Sequence, residues 1–138
     1  MTPGRDDHEV RYFLRDAASK ALGAGLGVAA LDQVERADRL GYDYAWEVEH
    51  HFLEEYSHSS APEVFLAAAS QRTKQIRLGH SIFQLTTNHP AKVAEKVAVL
   101  ALLSNGRVEL GMGESASLTE LDPFGVRFSE KRAIWEDA

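Results

Sequence analysis

Val28, Leu31, Val34, Ala37 and Leu40 recur at the three-residue and longer spacing of one helix face, and Gly41 follows as a C-terminal stop. The pattern predicts an amphipathic helix over residues 28–40. Tyr42 to Val48 then changes to a short aromatic and apolar run, the signature of a buried strand, and leads into the acidic, histidine-bearing segment EHHFLEEYSH. A second helix is expected to start near Ser60, with Pro62 in its first turn and Val64, Phe65, Ala68 and Ala69 on its inner face. Ile76 to Leu85 reads as a second strand. Asn88 can cap a third helix with Pro90 near its start, an apolar stripe of Val93, Val97, Leu100 and Leu103, and Asn105-Gly106 as its closing turn. Arg107 to Met112 reads as a third strand, Gly113 to Ser117 as its loop, and Ser129 to Ala138 as the opening of another helix.

Helix and strand alternate with short connections, which implies βαβ units, right-handed crossovers and a parallel sheet. The loops that follow the strands are therefore the functional edge. Residues 1–27 fit this pattern poorly. Val10 to Leu14 is a candidate first strand, but Ala17 to Gly27 is rich in alanine and glycine, which favours neither helix nor strand.

Composition narrows the class. An apolar fraction of 44% with 26% charged residues over 138 positions suits one globular domain with a modest core. The net charge of −6, with no basic cluster, argues against nucleic-acid and anionic-membrane binding, both of which need a basic face. There is no cysteine, which removes disulfides, thiolate nucleophiles and Cys-ligated zinc. The first residues carry no signal-peptide pattern, and no apolar run reaches the roughly 18 residues of a membrane span. The chain reads as soluble, untargeted and compatible with the cytoplasm.

The chemistry-bearing residues gather after the first of the three clear strands. His50 and His51 sit at its C-terminal end, where parallel α/β enzymes place catalytic groups, and imidazole moves protons near neutrality. In an extended chain adjacent residues point to opposite faces, so one of the two is expected to face a pocket. A polar surface loop explains the same spacing equally well. Glu47, Glu49, Glu54, Glu55 and His58 crowd the same stretch, but no HExxH, HxH or two-His-plus-carboxylate pattern is complete, and no metal is assigned. The GMGES run could bring backbone amides close to a ring or phosphate, although a tight turn accounts for it too. His80 is expected to be a satisfied core histidine, and His89, before Pro90 at a helix start, a neutral capping group.

Taken in order, RLGYDYAWEVEHHF, IRLGHSIFQLTTNHP, LLSNGRVELGMGES and FGV with its following EKR and W resemble the bacterial luciferase-like, flavin-dependent monooxygenases over residues 28–138. The resemblance implies an α/β fold, a (β/α)8 TIM-type barrel of which this chain supplies roughly the first four β/α units. It implies a monooxygenase that uses reduced FMN, or in some relatives a deazaflavin, and O2 to oxygenate a small organic substrate, with a flavin reductase supplying the reduced flavin. The first histidine of the EHHF motif is the family's catalytic one, so His50 is carried over as catalytic with His51 beside it. The GHSIFQL strand resembles one whose end carries a non-proline cis peptide beneath the flavin, implicating Ser81, Ile82 and Phe83. The GMGES loop implicates Gly113 and Glu114, and Arg132 falls where the luciferase α subunit directs an arginine toward phosphate. That subunit carries a cysteine and an arginine where this chain has Gly113 and Glu114, so thiol and guanidinium contacts are not implied here.

Members of that family are considerably longer. The expectation is an N-terminal part of such an enzyme that binds FMN weakly by itself. The competing expectation is a noncatalytic half-barrel that dimerises or pairs with a partner chain.

Overall fold

The computed structural model describes residues 11–13, 26–53 and 57–138. Four strands, β1 (Arg11–Phe13), β2 (Tyr44–Glu47), β3 (Arg77–Gln84) and β4 (Val108–Gly113), form one sheet in the order β1-β2-β3-β4 with every neighbouring pair parallel. Helices α1 (Leu26–Leu40), α2 (Pro62–Arg72) and α3 (Pro90–Leu103) connect successive strands. A single turn α4 (Leu118–Leu121), a 3-10 turn at Asp122–Phe124 and α5 (Lys131–Asp137) follow β4. Strands adjacent both in sequence and in space, each joined by a helix, describe an arc of a (β/α)8 barrel.

The expected elements are present, but α1 starts earlier, at Leu26, β4 takes in Gly113, which was expected in the loop, and Val64 and Ala68, expected on the inner face of α2, are exposed. β1 falls inside the Val10–Leu14 stretch, whereas the alanine and glycine passage from Ala17 to Gly25 lies outside the described residues. α2 begins at Pro62 and α5 at Lys131, and α4 was not expected. Asn88 does not cap α3. His89 is the N-cap and its Nδ1 accepts from the Ala91 N–H at 3.2 Å, while the Asn88 amide donates to Glu49 and to the Gln84 carbonyl. Two acceptors on its strand side hold Asn88 away from the helix, and the next residue satisfies the helix amide.

The helix layer packs on one sheet face through Val34 and Ala37 of α1, Ala45 of β2, Leu66 and Ala69 of α2, Ile76 and Leu78 entering β3, and Leu100 of α3. A second cluster of Phe83, Leu85 and Val93 reaches Val97 and Trp135 and so ties α5 to the end of β3. His80 is fully buried and lies 4.6 Å from the Phe83 ring, but neither ring nitrogen makes a hydrogen bond of good geometry, so it is not the satisfied core histidine expected. Burial lowers its pKa, which keeps the ring neutral.

Polar staples close the end of the sheet where β3 starts. The Arg107 guanidinium donates to the carbonyls of Ser70, Thr73, Ile76 and Ser104 and to the Thr73 hydroxyl. Asp38, at the end of α1, accepts the backbone N–H groups of Lys74, Gln75 and Ile76. That end is thereby spent on holding elements together, and the opposite edge is left for chemistry.

On the inner sheet face Tyr44 stacks on Trp46 at 5.9 Å, and the Trp46 ring lies flat across Gly79. A methyl group at position 79 would run into that ring. Gly79→Ala is expected to cost about 1–3 kcal/mol through overpacking, read as a lower urea midpoint with unchanged slope. An unchanged midpoint would show that Trp46 moves aside freely.

Candidate active site

β2 ends at Glu47, and residues 48–53 run on as irregular chain rather than extended strand. The alternation expected for His50 and His51 therefore does not hold. Both line one cleft of about 490 Å³, together with Phe52, Leu53, Ser57, His58 and Ser60. The His50 N–H donates to the Ser59 carbonyl at 2.8 Å, which fixes the return of the loop toward α2.

Two buried carboxylates organise the histidines. Glu49, two residues past the end of β2, accepts from the Gln84 backbone N–H at 2.8 Å and the Asn88 amide at 2.8 Å, and its Oε1 lies 2.9 Å from His51 Nε2. Glu120, on α4, brings Oε1 to 3.0 Å from His50 Nδ1 and accepts the His51 N–H at 3.1 Å. Its Oε2 accepts the Ser115 hydroxyl at 2.8 Å. The Gln84 amide joins the two halves, donating to the Glu49 carbonyl at 2.8 Å and to Glu120 Oε1 at 3.0 Å. A flipped amide would aim its oxygen at both acceptors, so the orientation is determined, and Gln84 Oε1 is left buried with no partner.

Glu120 is only 2% exposed, and burial by itself would push its carboxyl up. Hydrogen bonds from Gln84, Ser115, His50 and the His51 amide outweigh that and hold it below the usual carboxylate range, so it is ionised at neutral pH. Glu120 stands outside the residues that spacing and family motifs single out. Its local signal, Ser117-Leu118-Thr119-Glu120, reads as a helix capping box, yet Ser117 makes no side-chain cap and the carboxylate turns to His50 instead.

Beside this cluster, the Ser81–Ile82 peptide is cis, at the place the family resemblance implies, and the β3–β4 register shifts between His80 and Phe83. Glycines on β4 accommodate the irregularity. A side chain at 111 would meet the His80 carbonyl, and one at 113 would meet Ile82 Cδ1 at 2.9 Å. Ser81, Ile82, Gly113 and Glu114 are thus gathered at the ends of β3 and β4. The Phe83 side chain is 1% exposed and points into the helix-facing core. Arg132 is exposed, bound to Glu136 at 2.6 Å and placed over the Trp135 ring. Its neighbour Lys131 is the cation that reaches the β4 loop, donating to the Ser115 carbonyl at 2.8 Å with Glu114 at 3.5 Å. Among the described residues no group of three or more His, Asp or Glu is placed to hold a metal ion, and no helix is long and apolar enough to cross a membrane.

The arc of parallel α/β barrel defines a barrel protein, and its carboxylate and histidine cluster lies at the C-terminal strand ends, where barrel enzymes place their sites. The family model for luciferase-like monooxygenases matches residues 9–138, and the chain belongs to this family. Limonene 1,2-monooxygenase of Rhodococcus erythropolis is 38% identical over 108 residues, which are 78% of this chain and 28% of that protein. F420-dependent glucose-6-phosphate dehydrogenase of Amycolatopsis mediterranei is 36% identical over 99 residues, covering 69% of this chain and 29% of its own. The solved oxygenating constituent of 3,6-diketocamphane monooxygenase from Pseudomonas putida, in complex with FMN, superposes with a TM-score of 0.84 over 92% of this chain and 37% of its own, at 21% identity, and shares the fold. The chain spans less than a third of the length of the two enzymes matched by sequence.

Proposed function

We propose that this chain forms the flavin-facing arc of a cytoplasmic luciferase-like monooxygenase, which uses reduced FMN and O2 to oxygenate a small organic substrate. The observation that carries the reading is the convergence of His50, Glu120 and Gln84 beside Ser81 and Ile82 at the strand ends. Ser81, Ile82, the Phe83 backbone, Gly113 and Glu114 would hold the isoalloxazine, and Arg132 would serve the phosphate after leaving Glu136. Two buried acceptors without partners, Glu114 Oε2 and Gln84 Oε1, fit the N–H groups of a reduced flavin. The glycine backbone of β4 offers a surface on which a flat ring can rest.

Bound reduced flavin would supply the electrons that activate O2, and a flavin reductase would replenish it. His50 holds and moves a proton at the reacting edge. His51, tied to Glu49, keeps the loop in place, beside the exposed rings of Phe52 and Phe124, which lie 5.8 Å apart. The F420-dependent relative supports a deazaflavin as the alternative cofactor.

Anaerobic titration of the 15N-labelled chain with reduced FMN, and separately with a reduced deazaflavin, tests the assignment. Weak binding is expected, with amide shifts concentrated at residues 81–83 and 113–114 and larger changes for the true cofactor. Shifts scattered over the surface, or none at saturating flavin, would overturn it. Leu110 and Met112 are exposed on the edge strand β4, which favours a half-barrel that pairs with a second chain as the competing reading. A sharply defined dimer in light scattering, with no flavin response, would favour that reading.

A further inference from the structure

We propose that Glu120 is the positioning residue of His50, holding it as the tautomer that carries its proton on Nδ1 and so giving Nε2 the lone pair that accepts a proton. The inference rests on the reading of His50 as the proton-handling group, and adds the residue that decides which of its nitrogens does the work. The nearest approach between the two side chains is 3.0 Å, from His50 Nδ1 to Glu120 Oε1. A carboxylate oxygen only accepts hydrogen bonds, so a lone pair on Nδ1 at that distance would face a full negative charge across a buried gap. Nδ1 must therefore carry hydrogen. In the neutral ring that leaves Nε2 as the acceptor, and when Nε2 takes a proton the resulting imidazolium keeps its Nδ1–H on Glu120.

The rest of the cluster makes Glu120 suited to this task. Its carboxylate is fixed by donors from three separate elements, Gln84 at the end of β3, the His51 amide after β2 and the Ser115 hydroxyl after β4. It cannot swing away from His50 without giving these up. The adjacent ring is arranged the other way round, since Glu49 sits at 2.9 Å from Nε2 of His51 and so requires Nε2–H there. Two neighbouring histidines are thus locked as opposite tautomers by two carboxylates, with Gln84 bridging the pair. An anchor that only stapled α4 to the strands would have no need of a ring nitrogen.

The test is the nitrogen spectrum of the chain labelled with 15N-histidine, which reads the protonated nitrogen of each ring without flavin or turnover. His50 is expected as Nδ1–H and His51 as Nε2–H in the parent chain. In Glu120→Ala the acceptor at Nδ1 is gone, whereas a glutamine would keep its oxygen there to accept the His51 N–H and the Gln84 amide. In the alanine variant His50 is therefore expected to shift toward the Nε2–H tautomer that unperturbed imidazole favours, while His51 is unchanged. Glu49→Gln should reverse His51 and leave His50 alone. His50 found as Nε2–H in the parent chain overturns the proposal by itself, even if a variant fails to fold. A folded Glu120→Ala in which His50 remains wholly Nδ1–H overturns it as well. Neither result depends on flavin binding, so a correct tautomer pair with no flavin response would refute the proposed function and leave the role of Glu120 standing.

Discussion

Between pH 4.5 and about 7 the folded chain is expected to lose about 3 kcal/mol of stability through one side chain, Glu47. Burial pushes this carboxyl up to about 7, and the hydrogen bond from the Ser59 hydroxyl offsets only part of that. In the unfolded chain the group ionises near 4.5. Within the window the unfolded state has therefore released a proton that the folded state retains, and each increment of pH favours unfolding. Below the window both states are protonated and the contribution is fully present; above it both are ionised and it is gone. Glu47→Gln keeps a neutral partner for Ser59 and is expected to flatten the dependence, leaving the variant more stable than the parent above pH 7. Urea midpoints for the two proteins across the window check this. Parallel curves would mean that Glu47 ionises normally in the folded state.

Asp38→Ala is expected to cost about 3–5 kcal/mol, a large part of what a small domain has to lose. Its carboxylate is 6% exposed and accepts three consecutive backbone N–H groups where the chain turns from α2 into β3. Alanine would leave the buried Ile76 amide without its partner and remove the side-chain half of the link between the end of α1 and the start of β3, the Gln75 side-chain amide still reaching the Asp38 carbonyl. Burial alone would raise the Asp38 pKa, but those three bonds and the nearby Arg107 charge lower it. Its stabilisation is therefore present above the ordinary value of 3.8 and lost as pH falls through the depressed folded value. Asp38→Asn retains one acceptor oxygen and should cost less. Denaturant unfolding followed by circular dichroism gives the comparison, and a loss below about 1 kcal/mol for the alanine variant would place the weight of that corner on Arg107 instead. Asp38 and Glu47 pull in opposite directions with pH, one failing in acid and the other toward neutrality.

The regular part of the fold was legible because its signals are periodic. The stripe from Val28 to Leu40, the proline at the start of α2 and of α3, and the apolar runs of β3 and β4 each repeat a local rule. Sequence also located the histidines and the strand that bears the cis peptide, through motif order rather than spacing. What it missed is made by contacts between distant residues. Asp38 meets Ile76, Glu49 meets Asn88, and Glu120 meets His50 across 70 positions of chain. No local pattern announces such pairs. At Asn88 the local pattern suggested a helix cap, and the tertiary partner won because a buried acceptor or donor without a partner costs more than a cap gains.

α4 is a single turn without a side-chain cap, and a lone turn of helix has almost no stability of its own. It is ordered by the groups it serves, Gln84 from one strand end and His50 from another. The loops after β2 and β4 thus share one carboxylate, so a substitution that displaces Glu120 acts on both of them at once.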